Sequence, residues 1–290
     1  MKHVLGFSGG IDSQAAARWL LNRYPPADVI LLNADPGGNE HPMTTEFIER
    51  YSSEVHPVVV VKPLVRDMGG ACRESREALG IGDDEELTFD LLAKLKGVFP
   101  GLRRPFCTQS LKLAPSRRWL REHLSEHGIG YERYTGVRRE ESTHRRKRKP
   151  REFDDFFNCW LNHPIVDWSK QMCFDYVRLH GEPINPLYSL GFNRVGCAPC
   201  VNSSKQDIRN WAKRFPEMID KVRAWEEETG LTFFPATKVR NGFYGPLKID
   251  DIVKWSMTAH GGSLSRFAGN EDPLAVLPPP PCESDYGLCE

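Results

Sequence analysis

Near the start of the chain lies the stretch His3-Val4-Leu5-Gly6-Phe7-Ser8-Gly9-Gly10-Ile11-Asp12-Ser13. Its first half is a short apolar run typical of a buried strand, and Ala15–Leu21 beyond it has the spacing of an amphipathic helix. The two glycines let the backbone approach an anion closely, and the helix start adds the positive end of its dipole. Ser8 and Ser13 add hydroxyl donors. The junction predicts a phosphate-binding loop, with a serine-capped glycine turn as the alternative.

The same strand–helix alternation continues after this loop. Val29–Leu32 and Val58–Val61 are apolar at consecutive positions, as buried parallel strands are, and Thr44–Val55 between them is a predicted helix. We therefore predict an α/β fold with a doubly wound parallel sheet, in which ligands bind beyond the carboxyl ends of the strands. Asn33 lies at such an end. Residues 1–195 are assigned to this nucleotide-binding domain and 196–290 to a helical, cysteine-bearing C-terminal region.

The middle of the chain has weaker patterns. Residues 64–126 are predicted to be mainly helical, 131–137 to form a strand, and 138–164 to form a long functional loop. Helical spacing returns over 169–179 and again over 205–228.

Composition limits the class of protein. The 290 residues carry 39 basic and 39 acidic side chains, so the net field predicts no nucleic-acid partner. No apolar run approaches the ~20 residues that span a bilayer, and no secretory signal is visible. A cytoplasmic protein without a membrane partner is expected. In that compartment eight cysteines indicate metal binding or redox work rather than disulfides.

Gly196-Cys197-Ala198-Pro199-Cys200 is the second strong motif. Two thiolates at this spacing can bind one metal from a single turn, and spacing alone does not separate zinc, iron–sulfur and redox use. Cys107, Cys282 and Cys289 are further candidate ligands. The remaining cysteines are predicted to be small buried hydrophobic residues; they are Cys72, Cys159 and Cys173.

The order and spacing of these motifs resemble the phosphoadenosine phosphosulfate (PAPS) reductase-like family of the PP-loop ATP pyrophosphatase superfamily. Beyond the first loop, the segments that carry the resemblance are Asn39–Thr44, Cys107–Pro115, Gly136–Ser142, Pro164–Trp168, Asn185–Tyr188 and Gly196–Cys200. The resemblance implies an adenine nucleotide alpha hydrolase-like fold whose Ser-Gly-Gly-x-Asp-Ser loop grips nucleotide phosphates.

The resemblance also implies a metal centre. In cluster-containing members a Cys-Cys pair, a lysine and a later CxxC surround a [4Fe-4S] cluster. The matching residues here are Cys107, Lys112, Cys197 and Cys200. Thr108 stands at the place of the second cysteine, so a cluster needs another ligand, for which Cys282 is expected. Cys289 matches the family's catalytic tail cysteine, although the two tail thiols are interchangeable in this assignment, and zinc is the alternative metal.

The intact loop favours ATP over a sulfonucleotide, because sulfonucleotide reductases often carry a degraded version of it. The predicted nucleotide-binding residues are Ser8, Gly9, Gly10, Asp12, Ser13, Asn33, Arg138 and Arg139. Cleavage between the α and β phosphates, assisted by Mg²⁺, would use Asp12 to orient the loop or its metal. Arg138 and Arg139 would balance charge near the reacting group. Sulfur transfer to an acceptor would follow, with a thiol reductant or sulfur-donor protein as partner.

A basic stretch points to the acceptor. Between Arg133 and Arg151 stand nine Lys and Arg residues, the densest being Arg145–Lys149. This run can hold a tRNA or DNA backbone, with nearby aromatic residues stacking on bases; the alternative is a solvated loop with core aromatics. The aromatic residues are Phe153, Phe156, Phe157 and Trp160.

Two other functions stay open. One is a PAPS or APS reductase, an oxidoreductase in which Cys289 attacks the sulfonucleotide and a thiol reductant such as thioredoxin releases sulfite. The other is a non-catalytic nucleic-acid-binding subunit of a modification or defence complex.

Overall fold

The computed structural model describes residues 1–101, 104–234 and 247–258, together with the backbone of residues 237–238 and 244–245. In this part of the chain six strands form one sheet. They are β1 (Lys2–Gly6), β2 (Val29–Ala34), β3 (Val58–Val61), β4 (Tyr131–Tyr134), β5 (Arg151–Asp154) and β6 (Cys159–Asn162). Two short strands, β7 (Thr237–Lys238) and β8 (Tyr244–Gly245), form a separate antiparallel pair.

The sheet has the order β3-β2-β1-β4-β6-β5. All neighbouring strands are parallel except β5, which pairs antiparallel with β6. The chain adds strands on one side of β1 and then returns to add β4 on the other side. This reversal of strand order between β1 and β4 confirms the predicted doubly wound α/β fold, in which such a switch point is the usual place for a ligand.

Helices cover the sheet and extend beyond it. They are α1 (Ile11–Leu21), α2 (Pro42–Glu54), α3 (Arg73–Leu79), α4 (Phe89–Lys96), α5 (Ala114–His123), α6 (Lys170–Leu179), α7 (Lys205–Arg214), α8 (Pro216–Thr229) and α9 (Ile249–Met257). A π-helix over Thr108–Leu113 runs directly into α5. The helix predicted over 205–228 is divided at Phe215, because the residue before a proline is disfavoured in the helical region. None of the helices in the described ranges is long and apolar enough to cross a membrane.

Three hydrophobic cores hold these layers together. The first lies between the sheet and α1, α2 and α6, and the second between the sheet and α5. The third joins α4 to α7, α8 and α9 and contains both Leu92 and Trp211. Helices after residue 195 thus share a core with residues before it, and the domain division at 195/196 stays a prediction.

Two predictions about strands need correction. The predicted loop 138–164 contains β5 and β6, a hairpin in which Phe153 lies opposite Trp160. Each strand is only four residues long, and β5 is mostly charged, so the alternation is too short to recognise in the sequence. β3 was expected to be buried on both faces, yet it is an edge strand whose Val60 is 53% exposed.

Candidate functional site

The loop from Ser8 to Ser13 connects β1 to α1 and is braced by its own side chains. The Ser13 hydroxyl donates to the Gly10 carbonyl at 2.8 Å and accepts from the Ser8 amide at 3.2 Å. Gly9 has φ of +75°, and a Cβ at this position would lie 3.2 Å from Ile48 Cγ1. The loop therefore has the compact form predicted from its glycines and serines, at the carboxyl end of β1.

Two contacts from distant parts of the chain hold the start of α1. Gly136, just after β4, approaches so closely that a Cβ there would lie 2.6 Å from the Asp12 carbonyl carbon and oxygen. The Tyr188 hydroxyl accepts a hydrogen bond from the Ile11 amide at 3.0 Å. Both residues lie in motifs noted in the sequence, but neither had been assigned a role.

Asp12 and Arg138, which the sequence analysis gave separate roles, form a buried ion pair. Arg138 Nε lies 2.8 Å from Asp12 Oδ1, and the two side chains are 5% and 4% exposed. Arg138 also lies 2.7 Å from a Glu140 carboxylate oxygen and 3.8 Å from one of Glu141. The Asp12 carboxylate is thus engaged by a cation of the protein itself, which indicates a role in holding the loop against the segment after β4.

Arg139 points elsewhere. Its guanidinium donates to the Arg148 carbonyl at 3.0 Å and forms an ion pair with Asp167. The structure therefore places Arg139 with Arg148 and Asp167 rather than with Asp12, and its role in nucleotide binding stays a prediction.

A small cavity with both polar and apolar lining lies at the carboxyl ends of β1 and β2. Its polar and charged lining consists of Ser8, Asn33, Glu40, Lys112, Ser116 and Arg133, and Gly196 completes one side. The volume, about 30 Å³, is room for a water-sized group. Asn33 Nδ2 donates to the Phe7 carbonyl at 2.8 Å and so ties β2 to the loop, as its predicted place at a strand end implies.

Glu40 is the unexpected member of this cavity. Burial raises the pKa of its carboxyl group to about 8, although the positive charge of Lys112 and the His41 amide oppose this shift. The carboxyl group is therefore protonated at neutral pH, so it does not repel an anion beside it. Glu40 lies in the Asn39–Thr44 segment that carries the family resemblance. A pKa shift produced by tertiary burial, however, leaves no signal in the sequence.

The CxxC loop lies beside the same strand ends. Three hydrogen bonds connect it to the segment after β2: Ala198 N to Asn39 O at 3.0 Å, Asn39 Nδ2 to Pro199 O at 3.1 Å, and Thr44 Oγ1 to Val195 O at 3.0 Å. Burial lowers the pKa of the nearby Lys221, and the neighbouring Cys197 and Glu40 oppose this shift. The motif therefore borders the predicted nucleotide site.

The cysteine ligands are only partly accounted for. Cys107, Cys197 and Cys200 are half-buried, and none of the three forms a disulfide within the described ranges. Within the described ranges, no three His, Cys, Asp or Glu side chains lie close enough to share a metal ion. Cys282 and Cys289 fall outside the described residues. The [4Fe-4S] cluster, its zinc alternative and the catalytic tail cysteine all stay predictions.

The basic stretch is partly internal. Arg145 is 1% exposed and pairs with Glu141, and Arg148 pairs with Glu152, so these two guanidinium groups are neutralised. Arg146, Lys147 and Lys149 are exposed. Of the aromatic residues, Phe157 is buried, whereas Phe153 and Trp160 are exposed and pack edge to face on the hairpin.

Comparison with known proteins identifies the class. Residues 2–203 match the model of the phosphoadenosine phosphosulfate reductase domain. The chain belongs to this family, which has a nucleotide-binding α/β fold and includes sulfonucleotide reductases.

Individual relatives vary in how much they share with the chain. An uncharacterized 37.8 kDa protein of Escherichia phage 186 is 29% identical over 99% of this chain and 96% of its own length. An adenosine 5'-phosphosulfate reductase of Allochromatium vinosum is 32% identical over 118 residues, which are 39% of this chain and 43% of the reductase. A crystal structure of PAPS reductase from Candida auris aligns at 17% identity and a TM-score of 0.47, covering 69% of this chain and 83% of that one.

Proposed function

We propose that the protein binds ATP at the Ser8–Ser13 loop and cleaves it between the α and β phosphates. The observation that carries this proposal is the intact Ser-Gly-Gly-Ile-Asp-Ser loop, braced internally and backed by the Asp12–Arg138 pair. Lys112 adds a positive charge to the lining of the adjoining cavity. Fixed donors and cations of this kind stabilise the charge that develops during phosphoryl and nucleotidyl transfer.

Mg²⁺ would neutralise phosphate charge in this reaction. Protein sites for Mg²⁺ usually supply one or two carboxylates and leave the remaining positions to substrate phosphates and water. Glu40 is the carboxyl group that lines the cavity, whereas Asp12 is engaged by Arg138. Glu40 is therefore the residue that fits a ligand role, and Mg²⁺ would have to displace the proton that its carboxyl group carries at neutral pH.

ATP cleavage would activate an acceptor for sulfur insertion. An acceptor oxygen would displace pyrophosphate and become adenylated. A persulfide on the donor protein would pass its outer sulfur to Cys197, with the donor thiol as leaving group; Cys197 belongs to the CxxC motif that follows Gly196 in the cavity lining. The outer sulfur of the Cys197 persulfide would displace AMP from the acceptor, and Cys200 would then release the thiolated acceptor by forming a Cys197–Cys200 disulfide, which the thiol reductant reduces. A nucleic-acid base is the acceptor that we infer, and the enzyme would then be a sulfurtransferase.

A sulfonucleotide reductase is the second candidate. It is favoured by the similarity to adenosine 5'-phosphosulfate reductases and by the matching Cys107 and Lys112. In that reaction Cys289 would attack the sulfur of the sulfonucleotide, and a thiol reductant would release sulfite from the adduct.

Product analysis separates the candidates. With ATP and Mg²⁺ we expect AMP and pyrophosphate, whereas a reductase would release sulfite from a sulfonucleotide without ATP. Ser8→Ala should lower pyrophosphate release at least tenfold, and Ser53→Ala, an exposed serine on α2, should not. Cys197→Ser should spare pyrophosphate release but block sulfur transfer. No turnover of either nucleotide would refute both candidates and favour a non-catalytic subunit.

A further inference from the structure

A second and larger cavity lies beside the helical segment over 108–123. The same segment lines the small cavity at the carboxyl ends of β1 and β2, which we call the nucleotide cavity. The volume of the second cavity is about 660 Å³, and we call it the basic cleft. Five cationic side chains line it, from three separate parts of the chain: Arg66, Lys96, Arg117, Arg118 and Arg121. Two aromatic rings, Phe106 and Phe156, line it as well.

The charges of the basic cleft are only partly compensated. Arg118 pairs with the buried Asp67 at 2.9 Å and counts as neutral. Arg66 and Arg121 form solvent-exposed pairs with acids, at 3.2 Å to Asp84 and 3.4 Å to Glu126, and such pairs are weak and screened by salt.

Lys96 and Arg117 differ from these three. In the part of the chain that the structure describes, no carboxylate lies within ion-pair distance of either cation. Each instead contacts an aromatic ring: the Arg117 guanidinium lies 4.7 Å from the Phe156 centroid, and Lys96 Nζ lies 6.0 Å from that of Phe106. The basic cleft therefore combines uncompensated positive charge with aromatic rings.

We propose that the basic cleft binds single-stranded nucleic acid. Lys96 and Arg117 would contact backbone phosphates, and Phe106 and Phe156 would stack on bases. Cationic grooves with aromatic rings are the usual means of holding a single strand, since a base within a duplex cannot present its face to a side chain. Free phosphate or a duplex would use the cations but would gain nothing from the rings.

The place of the basic cleft connects it to the nucleotide site. Lys112 and Ser116 line the nucleotide cavity, while Ser110, Ala114 and Arg117 of the same helical segment line the cleft. One helix thus separates the two cavities. If the basic cleft holds the acceptor strand of the proposed reaction, its role rests on the proposed function. Binding of the strand can nevertheless be measured without turnover.

The first test is fluorescence anisotropy with labelled single strands of DNA and of RNA in the same sequence. The double variant Lys96→Gln/Arg117→Gln removes two phosphate contacts. The slope of log affinity against log salt should become about 1.4 units less steep, which corresponds to binding about 25-fold weaker at 0.1 M salt. The matched control Lys213→Gln/Arg214→Gln removes two exposed charges from the end of α7 and should leave affinity within about threefold. The nucleic acid, DNA or RNA, that binds with the higher affinity identifies the natural ligand.

The second test concerns the rings. Phe156→Leu keeps an apolar side chain against α5 and should weaken single-strand binding about tenfold through lost stacking, while weak duplex binding stays unchanged. Thermal unfolding checks that each variant folds.

Several outcomes would overturn the proposal. The first is a wild-type protein that binds no single strand at low salt. The second is a loss of affinity in the Lys213/Arg214 control as large as that in Lys96→Gln/Arg117→Gln. The third is a duplex that binds more tightly than the single strand. Strand binding that persists in Ser8→Ala while pyrophosphate release from wild type is absent would refute the proposed function alone. Pyrophosphate release without strand binding would refute only the proposal that the basic cleft binds single-stranded nucleic acid.

Discussion

Replacing Arg138 by methionine should destabilise the protein more than replacing its partner Asp12 by asparagine. The guanidinium and carboxylate lie 2.8 Å apart and are almost completely buried. Removing one partner of such a pair costs about 3–5 kcal/mol, because the other charge stays buried without compensation. Asp12 lies in the first turn of α1, where the helix dipole returns up to about 1 kcal/mol. The expected loss of unfolding free energy for Arg138→Met is therefore about 2–4 kcal/mol.

Asp12→Asn should cost less stability, because the buried charge that it leaves behind keeps other partners. Arg138 keeps the Glu140 carboxylate at 2.7 Å and Glu141 at 3.8 Å, so its charge stays compensated. The amide fills the same space, and the expected loss is about 1–2 kcal/mol, within the range for leaving a buried polar group without a partner. The double variant should be more stable than the sum of the two losses predicts, since the two residues contact each other.

Urea unfolding of the wild type, the two single variants and the double variant measures these free energies directly. A loss below about 1 kcal/mol for Arg138→Met would refute the reasoning, because it would mean that Asp12 is hydrated or differently paired. A larger loss for Asp12→Asn than for Arg138→Met would refute it equally.

Two further predictions concern pH. Metal-free pyrophosphate should bind more weakly as the pH rises through about 8, where Glu40 gains a negative charge beside the loop, and calorimetry of Glu40→Gln should find this dependence gone. The unfolding free energy should fall as the pH drops below 6.5, because burial lowers the pKa of His163 and only the unfolded chain then takes up its proton. His163→Gln should remove up to about 1.4 kcal/mol per pH unit of that slope in urea titrations, and an unchanged slope would contradict the assignment.

Local patterns in the sequence were enough to predict the compact Ser8–Ser13 loop and the first three strands. Each strand is a contiguous apolar run with a turn after it. The form of the Ser8–Ser13 loop depends mainly on hydrogen bonds between its own residues. The hairpin of β5 and β6 was missed because its strands are too short to show a periodic pattern. Cross-strand pairs such as Phe153 opposite Trp160 stabilise it, and these pairs cannot be read from the sequence.

The charged residues show the limit of sequence reasoning more clearly. Arg145 was interpreted as part of a solvated or nucleic-acid-binding run, yet it is buried against Glu141. The spacing of four residues between them was a visible signal of such a pair. The basic cleft had no signal of this kind, since Lys96, Arg117 and Phe156 meet only through tertiary folding.

The most direct test of the nucleotide loop is calorimetric binding of pyrophosphate to wild type, Gly136→Ala and Gly130→Ala. A Cβ at Gly136 would lie 2.6 Å from the Asp12 backbone and displace the loop, whereas one at Gly130 has open space around it. Overpacking of this kind costs about 1–3 kcal/mol, so the Gly136 variant should bind pyrophosphate about 5- to 150-fold more weakly than the other two proteins. Equal affinities of all three proteins, or pyrophosphate that fails to compete with ATP, would contradict the assignment of the Ser8–Ser13 loop as the phosphate site.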